Sequence, residues 1–277
     1  MTADAHAAVV AGVNLSSQSL LQVVRLAARE AAAHDRPLCL LHAFNWSAAF
    51  EATSVAGPRA DAEQLIHGAA EAAREIEPEL TVGGEIVEGA AVAALIRRSE
   101  SAFMVALGDG GMAGCGECVP TDTPAVQVAA RAGCPVLVVR REPPPQGPVL
   151  VGVDGSPSSA IALDFAFDCA ARRSARLLVV RVTNPGREAG ATEELTETVA
   201  RCGRRHPSVP AECHTIAGDP GIVLVEQSRS AQVAVVGARG DEPWRGMLGA
   251  VSQSVLYHSP APVIVVRGLT GTAPDGA

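Results

Sequence analysis

The chain repeats itself. VLVGVDGSPSS, from Val149 to Ser159, answers VVAGVNLSSQS, from Val9 to Ser19. AGDPGIVLVEQSRSAQVAVVGARG, from Ala217, answers EGAAVAALIRRSESAFMVALGDGG, from Glu88; APVIVVRG near the end answers CPVLVVRR in the middle. The offsets are consistent: 140 from Gly12 to Gly152, 129 from Gly89 to Gly218, 129 from Gly108 to Gly237 and 127 from Pro135 to Pro262. The first copy is therefore longer in two places, its middle and its glycine loop. Whatever one copy folds into, the chain builds twice, in units of about 130 residues, an ordinary domain size.

Within a copy, short β-branched runs alternate with helical periodicity. Ala8 to Val13, Leu38 to Ala43, Val82 to Val87, Phe103 to Leu107 and Val136 to Val139 read as strands. Gln18 to Ala33 reads as helix, with Leu20, Val23, Val24 and Ala27 on one side; Ala60 to Ile76, Ala90 to Ser99 and Ala125 to Ala132 follow, and Asn45 to Pro58 reads as loop. Alternation of this kind predicts an α/β fold: two tandem, doubly wound domains, each a five-stranded parallel sheet. The predicted divisions are 1–141, a linker at 142–147, 148–267 and a disordered tail at 268–277. Pro143, Pro144, Pro145 and Pro148 make the linker stiff. The terminal runs Val136–Val139 and Val263–Val266 are apolar on both faces, so they are expected where the two copies meet, covering edges that would otherwise be sticky.

The stretch from Val233 to Val266 carries the chemistry. A buried-strand pattern stops at Gly237; Gly240 follows, then an irregular loop, then Gly249-Ala250-Val251-Ser252. From Ser252 to His258 the pattern is helical, and Pro260 and Pro262 end it. A glycine loop that runs into a helix N-terminus presents free backbone N–H groups to an anion. In parallel sheets ligands sit outside the carboxyl ends of the strands, where strand order reverses. The loops after the first and fourth strands of the second copy, from Asp154 to Ser156 and from Gly237 to Gly249, are the walls of such a crevice.

Composition narrows the chemistry. All 22 basic residues are arginine. With no lysine, a P-loop of the G-x-x-x-x-G-K type is excluded. A net charge of -8 argues against a nucleic-acid partner. No apolar run approaches 18 residues, so no membrane span is expected. The N-terminal stretch lacks the signature of a signal peptide, and seven scattered cysteines are expected as reduced thiols, so a cytoplasmic protein is expected.

These residues resemble the universal stress protein family. The match covers both copies and rests on VGVDGSPSS, AGDP, VVGARG and GAVSQSVLYHSPAPVIVV in that order. The resemblance implies the five-stranded parallel fold of adenine-nucleotide α-hydrolase-like proteins, ATP held through G-x-x-G, nine residues, then G-S or G-T, and a pseudo-dimer in which the last strands of the two copies pair. Carried over to the second copy, Asp154 takes the adenosine end, with Gly152 and Val153 beside it. Val182, expected just past the second strand, walls the adenine. Gly237, Arg239, Gly240, Gly249, Ala250, Val251 and Ser252 form the phosphate loop. Two departures stand out: eight residues separate Gly240 from Gly249, and Ala250 stands where the family has Ser or Thr. Ser252 is the nearest remaining hydroxyl. In the first copy Asn14 and Leu15 replace the aspartate and its glycine, and Asp122-Thr123 falls where G-S belongs, with Asp122 as a helix cap facing the phosphates. That site reads as degraded or repurposed.

The resulting expectation is a non-catalytic, adenine-nucleotide-responsive stress protein that binds ATP, ADP or AMP in its second copy, with Mg²⁺ left open because no Asp or Glu is clearly placed for it. Further association into a homo-oligomer is also left open. Asp154 read alone could simply cap the next helix. An interaction module with relict pockets and a slow ATPase are the alternatives, and Cys115-x-x-Cys118 raises a thiol redox pair. The neighbours of that pair, Asp109, Glu117 and Asp122, are acidic and point to ordinary thiols instead. Trp244 and Arg245 are candidates for a lid or a partner contact, with surface filler the plainer reading, and Cys39, Cys134 and Cys169 are expected in the core.

Overall fold

The computed structural model describes residues 7–14, 19–44, 56–110, 123–140, 144–186, 188–238 and 246–267. The first copy runs β1 (Val9–Gly12), α1 (Leu20–Ala33), β2 (Leu38–Phe44), α2 (Ala56–Ile76), β3 (Val82–Glu88), α3 (Ala91–Ser99), β4 (Met104–Gly108), α4 (Pro124–Arg131), β5 (Val136–Val139). The second runs β6 (Val149–Val153), α5 (Pro157–Arg172), β7 (Leu177–Thr183), α6 (Glu188–Gly203), β8 (Ala211–Ala217), α7 (Pro220–Ser228), β9 (Val233–Gly237), α8 (Ala250–His258), β10 (Val263–Val266). Helix α2 begins at Ala56, inside the stretch that reads as loop, and α8 begins at Ala250, two residues before the predicted Ser252. Both early starts have the same cause: the small residues at these helix ends carry little periodicity of their own.

The ten strands form one sheet in the order β3-β2-β1-β4-β5-β10-β9-β6-β7-β8. Each half is parallel throughout, and the halves join where β10 runs antiparallel to β5, with Ile264 opposite Leu137. The two terminal strands thus meet as expected. All eight of their residues are buried, because the sheet continues on both sides and helices cover both faces. Strand order reverses between β1 and β4 in one half and between β6 and β9 in the other. Helices α1, α2, α5 and α6 pack on one face around Leu40, Phe167 and Leu177. Helices α3, α4, α7 and α8 pack on the other around Leu41, Leu150 and Leu256. Cys134 and Cys169 are buried and Cys39 half-buried; burial pushes the Cys134 and Cys169 thiols up to about 12.

The copies also meet where the C-terminal ends of α1 and α5 cross. Arg172 Nη1 donates to the Ala33 carbonyl at 2.7 Å, and Arg173 Nη2 donates to Glu30 Oε1. His34 is buried, its ring 4.5 Å from that of Phe103, and its Nδ1 lies 3.6 Å from Asp168 Oδ2. Burial, then the Arg172 charge, pull the His34 pKa from 6.5 down to about 4, with Asp168 opposing and Arg173 and Arg36 adding. Between those two pH values the unfolded chain holds more protons at His34 than the folded one, so stability falls as the pH is lowered from 6.5 toward 4. Urea denaturation of wild type and His34→Gln across that window is expected to give the variant the flatter profile. Parallel profiles would show that His34 is not the group responsible.

Candidate functional site

Strand β6 ends in Gly152-Val153 and hands over to Asp154-Gly155-Ser156. Gly155 sits at φ +88, in the left-handed region that glycine alone enters without strain. This turn lets Asp154 Oδ1 accept from the Ser156 N–H at 2.9 Å. The cap of α5 is Ser156, whose Oγ accepts from the Ser159 N–H at 3.2 Å. Asp154 is therefore not the helix cap, and it stands exposed at the strand end. Desolvation raises its pKa, but the Ser156 hydroxyl and backbone N–H, with help from Ser159, outweigh that and hold it below the usual carboxylate value. It is a charged acceptor in place before any ligand arrives.

Across the crevice, β9 ends at Gly237. A methyl group there would come within 2.8 Å of Ser158 Oγ and 3.1 Å of the Ser158 carbonyl, so glycine is required for the start of α5 to approach the strand. Gly249 is the N-cap of α8 and offers no side chain to its first turn. The N–H groups of Ala250, Val251 and Ser252 thus have no capping side chain, at the positive end of the helix dipole. Ser252 Oγ donates to the Gly237 carbonyl at 2.5 Å. The hydroxyl ties the start of α8 to the end of β9.

These groups surround one cavity of about 340 Å³ at the reversal between β6 and β9. Gly152, Val153, Asp154, Val182, Gly237, Gly249, Ala250, Val251 and Ser252 all line it. Arg239 and Gly240, and with them Asp241, Glu242, Trp244 and Arg245, lie outside the described residues, as do Cys115, Cys118, Leu15, Asp122, the tail from 268, Arg141 and the linker residues 142–143. Val182 is inside β7, not past it, because the strand continues to Thr183 alongside β8. Ser156 lies in the loop expected as a wall, whereas sequence reasoning missed Ser158, Ser159, Val180, Pro220, Leu224 and Val236, which complete the lining. Leu224 comes from α7 and had no motif to flag it, whereas the Ser-Pro-Ser-Ser run did signal a helix start. Among the described residues that line the cavity, Asp154 is the one titratable group. The arrangement is an apolar slot (Val153, Val180, Val182 and Leu224) with a carboxylate on the β6 side and bare helix amides on the β9 side. Such a site can bind and orient a flat apolar group that carries hydroxyls and an anion.

The first copy differs at the matching place. Thr123, not Asp122, caps α4, its Oγ1 accepting from the Val126 N–H at 3.4 Å; the extended backbone at Thr123 brings its hydroxyl back over the turn. Asp109, where the second copy has Ala238, is buried and pairs with Arg140 at 3.2 Å. His42 is held by its Nδ1 against the Val13 carbonyl at 2.9 Å, a packing role. Among the described residues no group of three His, Cys, Asp or Glu stands together to hold a metal ion, and no helix is long and apolar enough to cross a membrane.

Comparison with known proteins agrees with this architecture. The model of the universal stress protein family matches residues 7–140 and 147–267. A universal stress protein of Mycobacterium tuberculosis is 33% identical over 267 residues, covering 87% of this chain and 90% of that protein. One of Mycolicibacterium smegmatis is 33% identical over 285 residues, covering 94% and 96%. The crystal structure of a universal stress protein from Archaeoglobus fulgidus superposes with a TM-score of 0.65 at 19% identity, covering 94% of this chain and 96% of that one, which is a likeness of fold. With both copies matched and full-length relatives at this identity, the chain belongs to the universal stress protein family, as two tandem copies.

Proposed function

We propose that the second copy takes an adenine nucleotide, and that the protein is a non-catalytic regulator that responds to AMP, ADP or ATP. One observation carries this: nine residues chosen from their motif positions line a single cavity at the strand-order reversal. Its volume of about 340 Å³ is at the lower end of the usual range for small-molecule sites. An adenine ring suits the slot between Val153, Val182 and Leu224; the ribose hydroxyls suit Asp154; the phosphates suit the amides of Ala250 and Val251. A single titratable group in the described lining supports binding without turnover. In the first copy the Asp109–Arg140 pair and Asn14 argue for a half that supports the fold, not a second nucleotide site. A role in a stress response and a cytoplasmic setting belong to the same proposal.

The phosphate end is the weaker one. Ala250 lacks a hydroxyl, Ser252 is committed to Gly237, and the dipole contributes about 0.3–2 kcal/mol. ATP is therefore expected to bind no more than about tenfold tighter than AMP. Titration calorimetry with adenosine, AMP, ADP and ATP, with and without Mg²⁺, tests both points. Absence of binding by all four would leave the pocket a relict. A steep gain with each phosphate would mean that the shortened loop still forms a full cradle.

A further inference from the structure

The last turn of α4, in the first copy, receives two donors from the second. The Gly246 N–H donates to the Ala130 carbonyl at 3.1 Å. Arg267 Nη2 donates to the Ala129 carbonyl at 3.2 Å and also to that of Ala130. Since α4 ends at Arg131, both carbonyls are among those left without a partner in their own helix, at its negative end. A cation and a loop amide from the other copy fill that position.

Neither donor lines the pocket, but both sit on chain that adjoins its anion side. Gly246, at φ +112, closes the loop that leads from β9 into α8. Three residues on, the Gly249 N–H donates to the Ala238 carbonyl at 2.9 Å, and the Ala238 N–H donates to the Val266 carbonyl at 2.8 Å, next to Arg267. The bare amides of Ala250, Val251 and Ser252 therefore start from a loop braced on the first copy. The repeat supplies a counterpart. Arg140, 127 residues before Arg267, donates from Nη2 to the Leu256 carbonyl in the last turn of α8 while Asp109 holds its Nη1. Each copy's closing arginine thus reaches the last turn of the other copy's final helix. Helix α8 is held at its far end by Arg140, and its entry loop is braced by Ala130.

We infer that the first copy is a positioning part of the second copy's anion end: Arg267 and Arg140 set where the amides of Ala250, Val251 and Ser252 point, so that phosphate affinity depends on the contact between copies and adenosine affinity does not. The inference rests on the reading that the pocket takes an adenine nucleotide. It predicts a split that a merely structural role does not produce. In the full chain, Arg267→Met is expected to weaken ADP binding about tenfold and to leave adenosine binding within about twofold. Arg267→Lys, which still places a donor at Ala130, recovers most of the loss. Arg140→Met is expected to act in the same direction through α8.

Calorimetry with adenosine and ADP on these variants decides it. An equal loss for both ligands, or no loss for either, overturns the positioning role while the nucleotide reading stands. A wild type that binds neither ligand overturns the nucleotide reading and this inference with it. Where Arg267→Met does not fold, hydrogen exchange on the wild type gives the answer. The Gly246 N–H is expected to exchange more slowly with ADP than with adenosine, and identical exchange with both overturns the inference.

Discussion

Replacing Asp154 by alanine is expected to weaken adenosine and AMP binding by about 10- to 100-fold. A hydrogen bond to a charged group contributes about 1.5–3 kcal/mol, and about 1.4 kcal/mol is tenfold in affinity. Asp154 is also the one titratable side chain in the described lining, so no other charged acceptor there can take over the contact. The carboxylate has a second task, since Oδ1 accepts from the Ser156 N–H and steadies the turn. Asp154→Asn keeps an acceptor oxygen for that turn and loses the charge; asparagine is also the residue at the matching position, Asn14, of the first copy. It is expected to lose less, about tenfold or below. Calorimetry on wild type and both variants separates the two tasks. Unchanged binding in Asp154→Ala would remove the second copy's pocket as the nucleotide site.

Ile264→Ala is expected to destabilise the chain by about 2–5 kcal/mol, the range for emptying a fully buried aliphatic position. Ile264 is 0% exposed and Leu137, directly opposite, is 1% exposed. They face each other across the one antiparallel pairing among the described strands, so this position supports both halves at once. Leu137→Ala is expected to cost a similar amount. Because the two side chains adjoin, the double variant is expected to depart from the sum of the singles by about 0.5–3 kcal/mol. Urea unfolding with a common fluorescence or circular dichroism readout measures all three. A cost well under about 1 kcal/mol for Ile264→Ala, with strict additivity, would mean that the two halves do not depend on this seam.

Much of the site is legible in the amino-acid sequence. Gly152, Asp154, Gly237 and Gly249 stand at strand ends and helix starts, and those positions follow from local pattern: β-branched runs make strands, and glycine ends them. The departures from the sequence reading share a cause. Val182 lies within its strand and not beyond it because β7 and β8 extend each other's pairing to Thr183, and such pairing is invisible along one segment. Local pattern offers Asp154 and Asp122 as helix caps because Asp, Ser and Thr all cap well. Ser156 and Thr123 take the role because the backbone at those two residues is extended at the turn into the helix. Ser252 has the position of a ligand group along the chain, but the Gly237 carbonyl within its reach, 15 residues away, claims the hydroxyl.

The order of strands and helices, the doubling of the unit and the glycine-to-helix chemistry are properties of short stretches, and the amino-acid sequence determines them alone. Side-chain periodicity and backbone freedom act within a few residues. Tertiary structure alone decided which distant groups share a cavity, as Leu224 of α7 does with Val182 of β7. It also decided which polar atoms are already spent, as Ser252 is on Gly237. The arginine exchange between copies belongs to the same class. Arg140 and Arg267 look like ordinary charges at the ends of strands, and nothing near them in the chain names Leu256, Ala129 or Ala130 as partners. Those carbonyls become acceptors because a helix ends there, and they come within reach because β5 and β10 pair antiparallel and carry each copy's last helix toward the other's closing arginine.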